Sequence, residues 1–417
     1  MSVSRGSLGS DWRPVGLGFL VALMGVGGMA KAKAGALKVK VGKTRIIMRG
    51  ANYPGLCKFA DGSIILQARA HGGKTPAIRS TDAGNTWKPC KPAAPLHFDG
   101  ERIQLRDGMV LVLAYHAVPV KDKPGWYEVR RWESDDNWQT ARGPLKGQAH
   151  IPQGAPGCDD GGKTTGREYV HGNIVELPDG SLLATVYGYF KADVRPGESG
   201  GKIGHLRSFL IKSEDRGKTW EYLSTIASVD MITDARLKRH LHEGFDEPTM
   251  ARLPDGTLIC VMRVGTYSAS AAASGTYHDL SNTILQKGKY RGPGSRKTSP
   301  LYQTLSTDDG KTWSRPAPMK QACGACPRLL LLGNGVLALS YGRIRRPTQD
   351  DYIIFSGDGG KTWSGETCIF RGLSSGYTDM VEIGPGKLLC VFDSVTAWGP
   401  KYTPDWIGAV DIEVKAK

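Results

Sequence analysis

Carboxylates, a phenol, arginines and histidines recur at matched places along this chain. Paired runs, each an extended segment, a Gly turn and an apolar segment, put Asn52, Arg167, Glu168, His171, Asp246, Glu247, Tyr377 and Asp379 at the starts of first segments. They put Arg69, His71, His116, Tyr187, Arg263, Arg343 and Asp393 at the ends of second segments. Carboxylates beside a phenol or an imidazole are equipment for proton transfer and for attack on a polarised carbon. Arginines hold anionic groups through charge-assisted, often bidentate, hydrogen bonds. Arg69, Arg263 and Arg343 each close an apolar segment, a repetition that a merely solvated surface does not require. Because side chains alternate along a strand, about half of the whole set faces one common space.

The elements that carry these residues are six copies of one hairpin unit. Their turns are Asp61-Gly62, Asp107-Gly108, Asp179-Gly180, Asp255-Gly256, Asn334-Gly335 and Pro385-Gly386. Asp-Gly and Asn-Gly between β-rich runs are strong short-range hairpin signals. Runs such as Ser63-Ile64-Ile65-Leu66 and Gly335-Val336-Leu337-Ala338-Leu339 are nearly continuously apolar and suit strands buried on both faces. A second pattern, Ser-x-Asp-x-Gly-x-Thr-Trp, occurs at Ser80 to Trp87, Ser213 to Trp220, Ser306 to Trp313 and Ser356 to Trp363. A decayed fifth copy sits at Ser134-Asp135-Asp136-Asn137-Trp138. Asp can bond its own backbone two residues on, Gly tolerates positive φ, and Thr and Trp open the next strand, where the indole packs on a sheet flank.

Six units of similar length, with no second domain after residue 36, predict an all-β fold: a six-bladed β-propeller over residues 37–414. The sixth unit lacks the turn motif and ends with Trp406 to Val414 as a third strand. Its fourth strand is expected from the other end of the chain, from Leu37–Val41 or Arg45–Met48, which removes an open edge.

Arg5 and Arg13 precede an apolar stretch from Val15 to Met29 and a small-x-small pattern around Ala30 to Ala34. That reads as a signal peptide over residues 1–34, hence an exported chain with no membrane span once processed. The net charge of +15, part of it in the leader, fits nucleic acid, an anionic membrane or an anionic polymer, and equally a generally basic proteome with no partner behind it. Export and the lack of any nucleic-acid-binding motif argue against nucleic acid, which leaves acidic or sulfated glycans as the natural partners. No cofactor motif is present. Of the eight cysteines, Cys57, Cys260 and Cys390 fall in strands as small core residues. Cys323 and Cys326 form a lone C-x-x-C with no second ligand pair, which is a disulfide or two thiols rather than a zinc site.

The Ser-x-Asp-x-Gly-x-Thr-Trp copies resemble the Asp-boxes of sialidase-like β-propellers, and nearly all of residues 37–414 falls within the resemblance. In that family a glutamate precedes an inner strand whose partner ends in arginine, as Asp246-Glu247-Pro248 to Met262-Arg263 does here. The family's final blade opens with a tyrosine before a small polar residue, as in Gly376-Tyr377-Thr378-Asp379. A further family arginine lies upstream of the last Asp-box, where Arg343 is the best match, with Arg345 and Arg346 as rivals. The resemblance implies an exo-sialidase-like glycosidase, with Tyr377 as nucleophile, Glu247 as its base, and Arg263 and Arg343 as clamps on a sugar carboxylate. A neutral phenol suits attack on an anomeric carbon that bears a carboxylate. Asp246, Asp379 and His171 would line the substrate.

Two positions depart from the family pattern. Asn52 stands where the family has its first arginine, with Arg49 or Arg69 nearby. The loop from Ala70 to Ala77, where the family has its acid/base aspartate, holds no acid, and His71 is the available proton donor. Two other readings stay open: a different carbohydrate-active enzyme, either an exo-glycosidase using Glu247 with Asp246, Glu168 or Asp379 or a uronate lyase, and a non-catalytic glycan-binding propeller.

Overall fold

In the computed structural model the strands follow one another as four-stranded antiparallel meanders, and the turn motifs close the third hairpin of five of them. The structure describes residues 37–91, 93–94, 100–155, 168–196, 202–233, 244–265, 300–345, 348–396 and 403–415. The expected leader over residues 1–34 lies outside these, as do Arg167, Arg346 and Cys158. The all-β expectation holds: apart from three single 3-10 turns, the described elements are strands. Among the described residues no helix is long and apolar enough to cross a membrane.

The first meander is Ala51–Lys58, Ile64–Ala70, Ala77–Ser80 and Lys88–Cys90. The second is Gly100–Gln104, Val110–Pro119, Trp126–Ser134 and Arg142–His150. The third is Glu168–Glu176, Leu182–Gly188, Arg207–Ser213 and Thr219–Ala227. The fourth is Gly244–Arg252, Leu258–Gly265, Pro300–Ser306 and Ala317–Cys323. The fifth is Ala325–Leu331, Leu337–Arg345, Thr348–Ser356 and Ser364–Phe370. The sixth joins Asp379–Gly384, Lys387–Val395 and Pro404–Lys415 to two strands from the start of the described chain. Both candidate N-terminal runs are used. Lys38–Val41 and Arg45–Arg49 lie one after the other along Pro404–Lys415, with Lys38 opposite Lys415 and Arg49 opposite Trp406. The second and third meanders also pair with each other, through Tyr169 with His116 and through the parallel run of Gln148–His150 beside Thr219–Glu221.

The alternation of side chains along each second strand explains the core. Leu182, Ala184 and Val186 pack toward the second meander, while Leu183 packs toward the fourth. Leu258, Cys260 and Met262 face the third, and Ile259 and Val261 face the fifth. Leu388, Cys390 and Phe392 face the fifth, and Leu389 and Val391 face Ile64, Leu66 and Ala68 of the first. Strands buried on both faces need the unbroken apolar runs seen in the sequence.

Each turn motif fastens one meander to the one before it. Ser80 Oγ accepts from Gly84 N at 2.9 Å, and Asp82 accepts from Thr86 N at 2.9 Å and from Thr86 Oγ1 at 2.5 Å. The same bonds recur around Asp215, Asp308 and Asp358. The glycine is required twice over, by positive φ and by close approach. A Cβ on Gly84 would lie 2.7 Å from Leu389 of the sixth meander, and one on Gly310 would lie 2.5 Å from Leu210 of the third. Trp313 Nε1 donates to Ser224 Oγ at 3.1 Å, and Trp363 Nε1 to Gln303 Oε1 at 2.9 Å, both across to the preceding meander.

The decayed copy keeps the turn. Thr140 N and Oγ1 donate to Asp136, and Trp138 N donates to Ser134 Oγ at 3.0 Å from the glycine position, at φ 64°. The Trp138 indole is buried with Cys57, Phe59 and Ile65 of the first meander. The misplaced tryptophan therefore supplies the same intermeander contact from three residues earlier.

Candidate active site

The inner strands share a local distortion that aims side chains into one cleft. The ladder slips between Asn52 and Gly55, between Asp246 and Thr249, and between Ala325 and Arg328. In each slip a residue before proline takes positive φ: Tyr53 at 52°, Glu247 at 44° and Cys326 at 53°. These are β-bulges, and a bulky residue held at positive φ is strained backbone of the kind kept at functional sites. Tyr377 stands two residues before the paired Asp379, as Glu247 stands two before the paired Thr249. The equivalent positions of four meanders thus present Tyr53, Glu247, Cys326 and Tyr377.

The two central candidates are brought together. Tyr377 Oη donates to Glu247 Oε1 at 2.8 Å, and Cys326 N donates to Glu247 Oε2 at 2.7 Å. Arg263 Nη1 lies 3.3 Å from Glu247 Oε1 and 3.2 Å from Asp246 Oδ2, so one guanidinium spans both carboxylates. The Cys326 thiol is 3.6 Å from Glu247 Oε1. The Tyr53 ring meets the Tyr377 ring edge-on, with centroids 5.3 Å apart. Asp393 fixes the approach of both tyrosines, accepting from Tyr53 N at 2.8 Å and from Ser375 N at 2.7 Å.

Burial works against the Glu247 charge, but Arg263, then His171, the Tyr377 hydroxyl and the Cys326 amide hold its carboxyl below the usual range. Burial first, then the neighbouring Cys326 and Glu247, push the Tyr377 phenol well above its ordinary value. His171 is buried beside Pro248, its Nδ1 3.4 Å from the Pro248 carbonyl, and burial pulls its pKa down against the opposing pull of Glu101 and Glu247. It lines the cleft with Pro54, Cys326, Arg328 and Tyr377.

A wall of aromatic rings adjoins the pair. Tyr169 stacks on Tyr187 at 4.9 Å, Tyr115 lies 5.1 Å from Tyr169 and hydrogen-bonds Tyr187, and His116 lies 4.8 Å from Tyr115. Both Tyr115 and Tyr187 are close enough to raise the Tyr377 phenol further.

Other expected site residues lie elsewhere. Arg343 is corrected from clamp to structural cation. It is wholly buried, paired with Glu366, bonded to Tyr341 Oη at 3.1 Å and to the Cys323 carbonyl at 3.2 Å, and stacked 4.0 Å over Tyr352. The reason is register. Arg263 is opposite Asp246 and Arg69 is opposite Asn52, each just before the bulge, but in the fifth meander that place belongs to Gly342, opposite Ala325. Arg343 is one residue further on, and one residue turns a side chain to the other face.

Asp379 is likewise committed: it accepts from Leu56 N at 2.8 Å and pairs with Arg102 and Arg328. These groups, with Glu101 and Asn173, line an adjoining space of about 350 Å³ that shares Arg328 with the cleft. That space is roomier than the Tyr377 cleft, but its charges satisfy one another. Arg69 is exposed in the register of Arg263, and His71 is exposed in a 3-10 turn. Glu168 is buried against Tyr127 Oη at 3.2 Å, and burial pushes its carboxyl up to about 8. The seven described cysteines are free thiols, five of them buried.

Sequence reasoning missed Tyr53, Cys326 and Tyr115. Tyr53-Pro54 and Cys326-Pro327 repeat the x-Pro of Glu247-Pro248, and that repetition was a usable signal. Nothing in the sequence singles out Tyr115.

No family model matches the chain. A sialidase of Bacteroides fragilis (strain YCH46) is 26% identical over 226 residues, 52% of this chain, and the chain spans 38% of that relative's length. A protein of unknown function from Dyadobacter fermentans DSM 18053 superposes with a TM-score of 0.62 at 19% identity, covering 90% of this chain and 99% of that one. A Hadza microbial sialidase gives 0.55 at 16% identity, covering 86% and 65%. An α-L-arabinofuranosidase of Fusarium graminearum gives 0.55 at 13% identity, covering 89% and 98%. The chain is therefore similar to sialidase-like propeller proteins, and at these identities the solved structures speak for the fold.

Proposed function

We propose that the chain is an exported glycoside hydrolase whose reacting centre is the Glu247–Tyr377 pair, set at the hub of a six-bladed β-propeller. The blades are the six meanders, each packed on the next and the sixth on the first. The leader over residues 1–34 directs export; the start of the mature chain, determined on secreted protein, is expected near residue 35.

The observation that carries the reading is the 2.8 Å hydrogen bond from Tyr377 Oη to Glu247 Oε1, made by residues 130 positions apart, with Glu247 on strained backbone. Hydrolysis needs a nucleophile at the anomeric carbon, and the pair supplies one by either of two routes. On an anionic sugar the phenol attacks and Glu247 takes its proton; on a neutral sugar the Glu247 carboxylate attacks and Tyr377 holds it in place. In either route the glycosidic bond breaks as the bond to the enzyme oxygen forms, the leaving oxygen taking a proton from solvent; water then displaces the enzyme oxygen, leaving its hydroxyl on the anomeric carbon and returning a proton to solvent. Both routes require Glu247.

The test is a panel of fluorogenic glycosides. Wild type should release the fluorophore from at least one, and Glu247→Ala should lower kcat/KM by about 10²–10⁴-fold with an unchanged circular dichroism spectrum. Full activity in that variant sinks the assignment. Glycan binding without any product would favour a non-catalytic propeller.

A further inference from the structure

We infer that the sugar ring seated against Tyr377 and Glu247 is uncharged, because the floor of the site holds two carboxylates, one guanidinium already spanning both, and a wall of tyrosines. The inference rests on the reading of Glu247 and Tyr377 as the reacting pair. Recognition of an acidic sugar needs guanidinium groups turned toward its carboxylate. Of the arginines expected to converge, Arg263 lies between Asp246 and Glu247, and Arg343 is enclosed with Glu366. Arg328 reaches the cleft, but its head is taken by Glu101, Asp379 and the Gly172 carbonyl. Asp246 and Glu247 thus share the Arg263 guanidinium. A carboxylate brought there meets like charge and must displace one already paired.

Arg69 is the cation of matching register, but it is exposed at the rim, where solvent and salt screen it. What the walls offer is aromatic. Tyr53, Tyr115, Tyr169 and Tyr377 are half-buried, Tyr53 edge-on to Tyr377 and Tyr115 tilted against Tyr169. Apolar ring faces with a few placed polar groups suit the C–H faces and hydroxyls of a neutral sugar.

The experiment uses the secreted full chain and two fluorogenic panels. The neutral panel is 4-methylumbelliferyl arabinofuranoside, galactoside and fucoside; the acidic panel is the sialoside and the glucuronide. A neutral glycoside should be cleaved with kcat/KM at least about 10²-fold above any acidic one. Its KM should hold as NaCl rises from about 50 to 500 mM, since no long-range charge is involved. Asp246→Asn should shift the acidic-to-neutral ratio upward by roughly tenfold, as one like charge is removed.

Calorimetry with the free sugars separates the two claims. If neutral sugars bind but neither panel is cleaved, the hydrolase reading fails and the inference stands. Preferred cleavage or tighter binding of the acidic sugars overturns the inference and leaves the hydrolase reading intact. Absence of both binding and turnover overturns both.

Discussion

Replacing Tyr377 with phenylalanine separates the two routes by which the pair can act. The substitution removes one oxygen and keeps the ring that Tyr53 packs against. The lost bond, 2.8 Å long and made to a buried carboxylate, is worth about 1.5–3 kcal/mol. At about 1.36 kcal/mol per pKa unit, the Glu247 carboxyl rises by about 1–2 units. Arg263 and the Cys326 amide still hold it, so the variant keeps an ionised Glu247 at neutral pH.

If Glu247 attacks, the acid limb of kcat/KM moves upward by that amount, and the plateau falls about 10–100-fold. If the phenol attacks, the bond-forming oxygen is gone and activity drops by at least about 10⁴-fold, with no limb left to follow. The first outcome is expected. Phenol and carboxyl differ by about 6 units in their ordinary values, so moving the proton to Glu247 costs about 8 kcal/mol. The environment widens that gap from both sides, lifting the phenol and lowering the carboxyl. The assay is a pH–rate profile on a cleaved glycoside, with thermal melts as the folding control. Wild-type activity with an unmoved acid limb would refute the coupling of Tyr377 to Glu247 altogether.

Two further outcomes follow from buried charges. Glu168 keeps its proton up to about pH 8 in the folded chain, whereas an unfolded glutamate releases it near the ordinary value of about 4.3. Unfolding therefore releases a proton between these limits, and the group costs stability as pH rises through that window, by a few kcal/mol at most. Glu168→Gln should thus melt higher than wild type at pH 8.5 and equal to it at pH 4.5; a constant difference in melting temperature would refute the burial argument. Arg343→Met leaves Glu366 without its cation and should cost about 3–5 kcal/mol in urea unfolding. It should leave kcat/KM within about threefold, whereas a large loss of activity at unchanged stability would return Arg343 to the substrate site.

The contrast between Arg263 and Arg343 shows where legibility in the sequence stops. The turn motifs and Gly hairpins index strands well, because they depend on local backbone chemistry: positive φ, an Asp that bonds its own turn, a glycine pressed against the preceding meander. They index Glu247 to the first strand of the fourth meander and Tyr377 to the approach to the first strand of the sixth, though the two are 130 residues apart. A strand index does not fix which face a side chain takes. That depends on counting from the bulge, and the bulge inserts a residue the hairpin period cannot see. Arg263 and Arg343 both end apolar second strands, yet one residue of register sends the first to the cleft and the second into the packing. The missing information was in the x-Pro steps. Proline cannot donate to the ladder, so Tyr53-Pro54, Glu247-Pro248 and Cys326-Pro327 mark where pairing slips. Counting from these steps assigns Gly342, not Arg343, to the cleft face. The same count nominates Tyr53 and Cys326 beside Glu247 from the amino-acid order alone. The meanders otherwise repeat the same turns and the same apolar faces. The residue at the slip is what differs from one to the next, so the chemistry of the site is written mainly at those positions.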